Sequence, residues 1–254
     1  MRKLICSLFG VFAYLIGSLG IIVFIFFISP WDLLPFHINS ETADDNKPTA
    51  IFPQLYINLS LLVLFGLHHT LMARKSLKDS LIRHLPAELE RSLYVLFSGI
   101  FTIVLCIYWQ PLPGVIWAFE NRIVASILTA IHLTGWLVLF AATYEIDHLH
   151  LMGVKQSFGF CTPEQKQLQE RFLYRIVRHP IQTGFLLLLW PAAEMSTTQF
   201  MLAAGLTIYI AIGLHFEEKS LIAEFGSKYI DYKTRVPSVM PLWPIKTLTK
   251  IFSR

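Results

Sequence analysis

Residues 4–28 contain no charged side chain. A helix needs about 20 apolar residues to cross the hydrocarbon core of a bilayer, so this run is long enough to span one. It follows Met1-Arg2-Lys3, as a signal peptide would. It outlasts the short apolar region of a signal, however, and ends at Ser29-Pro30-Trp31-Asp32 without a small-x-small cleavage pattern. We read it as a retained span. Comparable runs occur at 54–73, 92–109, 123–143 and 198–215, and a shorter one at 181–193. Only 15% of the residues are charged and 54% are hydrophobic, where soluble domains carry about a quarter charged. The expected fold is all-α, a polytopic membrane bundle of about six spans. The fifth is short and forms a hairpin with the sixth through a turn near Glu194-Met195-Ser196. Tyr108 and Trp109 make an interfacial belt, and Pro111 and Pro113 mark the turn after the third span.

Six spans place residues 1–3, 74–91, 144–180 and 217–254 on one side of the membrane. Of the 21 Lys and Arg residues, Lys47 and Arg122 lie opposite, which leaves 21 − 2 = 19 on that side. By the positive-inside rule that side is the cytosol, and both termini face it. An odd number of spans would scatter these charges. The net charge of +4 forms no basic arm or aromatic-interleaved stripe, so no nucleic-acid partner is expected. Cys6, Cys106 and Cys161 have no metal-ligand spacing and read as small hydrophobic residues. No metal site is expected.

Ionisable groups cluster at three places, all at the cytosolic ends of spans, where they are costly unless paired or facing water. The first opens with Arg178-His179-Pro180 before the short fifth span. Pro180 suits the first turn of a helix, whose N-terminus favours a carboxylate, and Arg178 is a candidate two-pronged clamp. After the sixth span come His215, Glu217 and Glu218, then Tyr229, Tyr232 and Arg235. The hairpin brings Arg178-His179 and Glu217-Glu218 to one membrane face. Adjacent carboxylates point in different directions on a helix, so one can reach the arginine while the other meets a ligand. A surface ion pair at the membrane edge is the plain alternative. The second cluster is His68-His69, with Arg74 and Lys75 beyond. His69 either faces the bundle or solvates a helix end. The third is Tyr144, Glu145, Asp147, His148 and His150, with Lys155 and Gln156, either a lid over a pocket or a solvated loop. His132, inside the fourth span, reads as a hydrogen-bonded packing residue.

Arg178-His179-Pro180 with Gly184, then Glu217-Glu218, then Phe225-Gly226-x-x-Tyr229-x-x-Tyr232-x-x-Arg235-Val236-Pro237, resembles the membrane methyltransferases of the isoprenylcysteine carboxyl and phospholipid type. Beyond this module, the chain is similar to the methanethiol S-methyltransferases, a branch of the NnrU/nurim-like membrane proteins. That similarity lies in His68-His69-Thr70-Leu71-Met72-Ala73-Arg74, Glu90-Arg91-Ser92-x-Tyr94, Trp109-Gln110-Pro111-Leu112-Pro113, and Ile146-Asp147-His148 with Gly153-Val154-Lys155-Gln156. Methyltransferases of this type commonly carry a Tyr two residues after the Pro of Arg-His-Pro, where this chain has Gln182.

The resemblance implies one membrane domain over 1–254, with N-terminal spans and a cytosolic loop over 1–173 and an S-adenosylmethionine-binding module over 174–241. It implies methylation of a small thiol, methanethiol to dimethyl sulfide, at a cytosol-facing site in a bacterial inner membrane. Arg178, His179, Pro180, Gly184, Glu217, Glu218, Tyr229 and Arg235 are then the cofactor-binding candidates. His179, His148 and His69 are the candidates for deprotonating the thiol. Two alternatives stay open: methylation of a prenylcysteine carboxylate or a lipid, and a haem protein with His69 and His179 as axial ligands.

Overall fold

The computed structural model describes residues 1–31, 37–38, 51–74, 85–160 and 168–239, with scattered positions between 77 and 83. Lys47, Lys75 and Cys161, and the end of the expected module at 240–241, lie outside the described residues. In chain order the elements are α1 (Arg2–Phe27), α2 (Ile51–Ala73), α3 (Glu90–Tyr108), β1 (Val115–Ala118), α4 (Arg122–Glu145), α5 (His148–Leu151), α6 (Val154–Ser157), α7 (Pro180–Leu189), β2 (Glu194–Ser196), α8 (Thr197–Phe225) and α9 (Ser227–Arg235). Five of them, α1, α2, α3, α4 and α8, are long and apolar enough to cross a membrane. Their outward faces carry exposed Leu, Ile and Phe, such as Leu8, Phe12, Leu15, Ile127, Leu137 and Ile208, as lipid-facing helices do. The chain is a polytopic helical membrane protein.

Close backbone approach decides the helix pairing. The buried face of α1 carries Cys6, Gly10, Ala13, Gly17 and Gly20, a stripe of small side chains that lets a neighbour come near. A Cβ on Gly20 would lie 2.8 Å from the Gly99 Cα of α3. The contacts advance together along both chains, so α1 and α3 run parallel. Between α4 and α7 the order reverses. A Cβ on Gly135 would meet the Leu188 backbone N at 2.7 Å, and one on Gly184 would meet the Leu139 backbone N at 2.8 Å. These two helices are antiparallel and nearly touch. His132 sits in the same crossing. Its Nδ1 donates to the Leu188 carbonyl at 2.7 Å, and Trp136 Nε1 donates to its Nε2 at 3.2 Å. Both ring nitrogens are used, so His132 packs as a bonded neutral imidazole.

The short fifth element differs from the expectation at its far end. The helix stops at Leu189, and Glu194–Ser196 forms β2 rather than a tight turn, pairing antiparallel with β1. The reason is backbone satisfaction: the Gly114 carbonyl accepts from Thr197 N, and the Ala193 carbonyl accepts from Phe119 N. Thr198 Oγ1 also joins both sides of Leu112. Nearby, the buried Asn58 amide exchanges two bonds of 2.8 Å with the Gln110 backbone. Ser196 caps α8 through Gln199 N.

The other end of α8 also departs from the sequence reading. The helix continues past His215 to Phe225, so Glu217 and Glu218 sit on its last turns and not beyond it. Residues 148–157 do not cover the module that contains Arg178. They tuck beneath α1 and α3, where Arg91 Nε donates to the Leu151 carbonyl at 2.7 Å and Ser92 Oγ to the Gly153 carbonyl at 3.1 Å. Cys6 and Cys106 are buried free thiols.

Candidate functional site

The end of the bundle where α7 begins and α8 finishes is organised by Arg178. Its Nε donates to Glu218 Oε1 at 3.0 Å, and its Nη2 forms an ion pair with the same oxygen. Its Nη1 donates to the Lys233 carbonyl at 3.2 Å and to the Val236 carbonyl. The backbone joins in: Arg178 N donates to the Pro237 carbonyl at 2.9 Å and His179 N to the Ser238 carbonyl at 3.0 Å. Thr183 Oγ1 reaches the Val239 carbonyl at 2.5 Å. The segment after α9 therefore lies along the entry to α7, and Val236-Pro237 is held rather than trailing. The sequence offers Arg178 to a ligand as an open clamp. In the structure its side chain is 7% exposed and its donors already bolt α7, α8 and α9 together.

The two carboxylates on α8 divide their duties. Glu218, 14% exposed, binds Arg178 with Oε1 and the Lys233 ammonium with Oε2 at 2.5 Å. Glu217, one position round the helix, is 47% exposed. It lies 3.8 Å from His179 Nδ1 and accepts from Gln182 Nε2 at 3.5 Å. Gln182 thus faces the site. His179 is buried, with Nε2 3.4 Å from Glu218 Oε1. Burial pushes its pKa down, and the Glu218 carboxylate works against that shift. The ring is neutral at neutral pH, a state in which one nitrogen can accept a proton.

Tyr229 and Tyr232 fix the floor. Both are almost fully buried with Val236, and Tyr232 Oη donates to the Tyr174 carbonyl at 2.5 Å. Burial raises the phenol pKa of each. Pro180 opens α7 at its first position, in the first turn where its missing N–H does no harm. Arg178, His179, Pro180, Glu217, Glu218 and Tyr229 are therefore brought together.

Four candidates lie elsewhere. Gly184 faces α4 in the tight crossing. Arg235 is half exposed and pairs with Glu170 and Asp231. His148 bonds to Thr143 Oγ1 at 3.2 Å and stacks on Tyr144. His69 bonds to Tyr94 Oη at 2.8 Å and packs on Phe65. Among the described residues no hydrogen bond, ion pair or ring contact joins His69 or His148 to His179. Lys233, Tyr174 and Thr183 belong to the site and were not singled out from sequence. Lys233 follows Tyr232 directly in the quoted motif, but nothing in its spacing distinguishes it from its solvated neighbours.

Known proteins are similar to this chain over most of its length. A methanethiol S-methyltransferase from Bradyrhizobium diazoefficiens is 38% identical over 208 residues, 81% of this chain and 80% of that one. One from Pseudomonas deceptionensis is 37% identical over 201 residues, 78% of this chain and 77% of that one. Nurim from Xenopus laevis is 31% identical over 61% of this chain and 58% of that protein. No protein-family profile and no solved structure matches the chain. With identity above 30% spread over most of both sequences, the chain belongs to the methanethiol S-methyltransferase family.

Proposed function

We propose that the chain transfers a methyl group from S-adenosylmethionine to methanethiol, giving dimethyl sulfide, at the end of the bundle built around Arg178. The observation that carries this reading is the meeting of Arg178, His179, Gln182, Glu217, Glu218 and Lys233 at one face, in a chain of this family. S-Adenosylmethionine would supply a sulfonium methyl that is already activated, its sulfur keeping the electron pair of the broken S–CH3 bond while the thiolate forms the new C–S bond. The residues fit a donor that carries both a carboxylate and an ammonium. Glu217 and Lys233 are about half exposed, at 47% and 44%, and so can be reached. The buried Arg178–Glu218 pair between them holds their elements in register.

A thiol must lose its proton to become the nucleophile. His179 is the acceptor of choice among the three histidines, because it alone lies between the two glutamates. Its neutral state leaves a nitrogen free to take that proton, and Glu217 and Glu218 stabilise the imidazolium that results. The remaining work is alignment of the two sulfurs with the methyl between them. The six-crossing topology, both termini in the cytosol and the site facing it, is part of the proposal. It is supported by the 19 of 21 basic residues on one side and by an antiparallel α4–α7 pair. An inner bacterial membrane suits the organisms of the bacterial relatives.

Headspace gas chromatography of cells expressing the chain and fed methanethiol tests the proposal. Dimethyl sulfide above the level of cells lacking it, and its loss in Glu217→Ala, are expected. Product formation equal to that of the control cells overturns the reading.

A further inference from the structure

The geometry points to Glu145 as a ligand-positioning residue of this site, one whose open carboxylate oxygen receives the α-ammonium of the methyl donor. The inference deepens the reading above and rests on it.

Glu145 is the last residue of α4. Because α4 and α7 are antiparallel, with Leu139 beside Gly184, the C-terminal end of α4 lies next to the start of α7, where His179 stands. Glu145 is held firmly there. Its Oε1 accepts from Leu173 N at 3.3 Å, and its own carbonyl accepts from Gln169 Nε2 at 3.0 Å. The segment it grips is under strain: Phe172 adopts φ 41°, a conformation that costs energy for a residue with a Cβ. Burial of Phe172 does not offset this, since the residue is 76% exposed. Tyr232 grips the same segment from α9 through the Tyr174 carbonyl. The Tyr174 phenol is consequently presented near both Glu145 and Glu217, and after burial their two charges are the next causes that raise its pKa.

Against this ordered background two buried side-chain atoms near the site lack a hydrogen-bond partner among the described residues, Tyr229 Oη and Glu145 Oε2, and of these only the second is a carboxylate oxygen. A clip that only fastened the backbone of 169–173 would need one acceptor, and an amide would do. A carboxylate oxygen withdrawn from water without a donor is costly. It is accounted for if a cation bearing N–H groups completes it. Glu218 cannot serve that purpose, because Arg178 and Lys233 already occupy it, and Glu217 is turned to His179 and Gln182, where it supports the proton transfer. Of the parts of S-adenosylmethionine, the α-ammonium is the cation that carries N–H donors. The sulfonium has none, and the ribose hydroxyls are uncharged.

Two ligands separate these groups. S-Adenosylhomocysteine keeps the ammonium and lacks the sulfonium, while 5′-methylthioadenosine keeps the ribose and adenine and lacks the amino-acid end. Both are titrated by calorimetry into the full chain in detergent, as wild type, Glu145→Gln and Glu145→Asp. Glu145→Gln should weaken S-adenosylhomocysteine by roughly 10- to 100-fold, the equivalent of one charge-assisted hydrogen bond. Methylthioadenosine should be unaffected. The melting temperature of the ligand-free protein should not fall, because Gln keeps the acceptor for Leu173 and removes an unpaired charge. Glu145→Asp should regain part of the lost affinity. Equal weakening of both ligands would assign Glu145 to the ribose and overturn the inference. Unchanged affinities with a lowered melting temperature, or aggregation of both variants, would make Glu145 a structural clip and overturn it too. A wild type that bound neither ligand would remove the methyl-donor reading itself, and the inference with it.

Discussion

Two regions of the bundle are assembled by opposite means. Where α1 meets α3, cohesion comes from what is missing: Gly20 and Gly99 lack side chains, and their backbones come together. Where α7 meets α8 and α9, cohesion comes from charge, with Arg178 reaching α8, α9 and the segment after α9 at once. The difference follows from the solvent. Lipid tails are as apolar as a leucine side chain, so helices inside the bilayer gain little from hiding apolar surface and depend on close van der Waals fit. At the membrane edge water is present, and ionised groups can be tolerated when paired. The proposed site, for a charged methyl donor and a small apolar thiol, suits the boundary of these two regimes.

The largest expected effect comes from breaking the charged junction. Arg178→Ala should cost about 3–5 kcal/mol of stability, because Glu218 and the Lys233 and Val236 carbonyls lose their partner together. Thermal and denaturant unfolding in detergent measure it. Arg178→Lys should recover only part, since an ammonium cannot make the same fork of contacts. Full recovery by Lys would mean that a point charge suffices. Next is the glycine crossing. Gly184→Val should cost about 1–3 kcal/mol by overpacking against the Gly135 carbonyl and the Leu139 backbone. In folded protein the cofactor affinity should hardly change. A selective loss of affinity at unchanged stability would instead give Gly184 a place in the cofactor site. Smaller again is Lys233→Met. This side chain is half exposed, so its ion pair with Glu218 should contribute no more than about 1 kcal/mol to stability. Its loss should nevertheless weaken cofactor binding several-fold, roughly the effect of one partly screened charge. A variant that bound the cofactor as tightly as wild type would take Lys233 out of the site.

How far this comparison is legible in sequence depends on the region. The spans declare themselves because a bilayer imposes length and apolarity on each one separately. The local reading of 4–28 and 92–109 therefore lands within two residues of α1 and α3. That Arg178 meets one of the two glutamates is readable too, because a hairpin returns them to one face; that the partner is Glu218 is visible only in the structure. What escapes is whatever depends on a partner far along the chain. Glu194–Ser196 has no strand pattern of its own and becomes β2 because β1 is opposite. The cluster 144–156 reads as one unit, yet the structure divides it, with Glu145 turning to the C-terminal module and His148 to Thr143 beneath α1. Adjacent residues there serve different neighbours, and periodicity carries no record of that. The openness of Arg178 is misjudged for the same reason: its carbonyl acceptors come from 233 and 236, and no side-chain pattern announces them.

The smallest effect distinguishes the two regions by proton uptake. His179 is buried beside Arg178, faces Glu217 and Glu218 from α8, and has Lys233 of α9 nearby. Burial holds its pKa below the ordinary 6.5, with Glu218 offsetting part of the shift. A base whose pKa is lowered on folding resists a proton that the unfolded chain accepts. Its contribution to stability is therefore present above pH 6.5 and lost as the pH falls towards its folded value. Wild type should thus lose more stability than His179→Gln between about pH 7.5 and pH 5. His148 is shifted in the same direction by its own burial, so His148→Asn serves as the control for a histidine outside the charged junction. Methyl transfer should fall over the same window, because a protonated imidazole cannot take the thiol's proton. The two histidines then separate: replacing His148 should leave the pH profile of the rate in place, while replacing His179 should flatten it and lower its plateau. If the profile of His179→Gln kept the wild-type midpoint, the proton would be going elsewhere, and Glu217 would be the next group to replace.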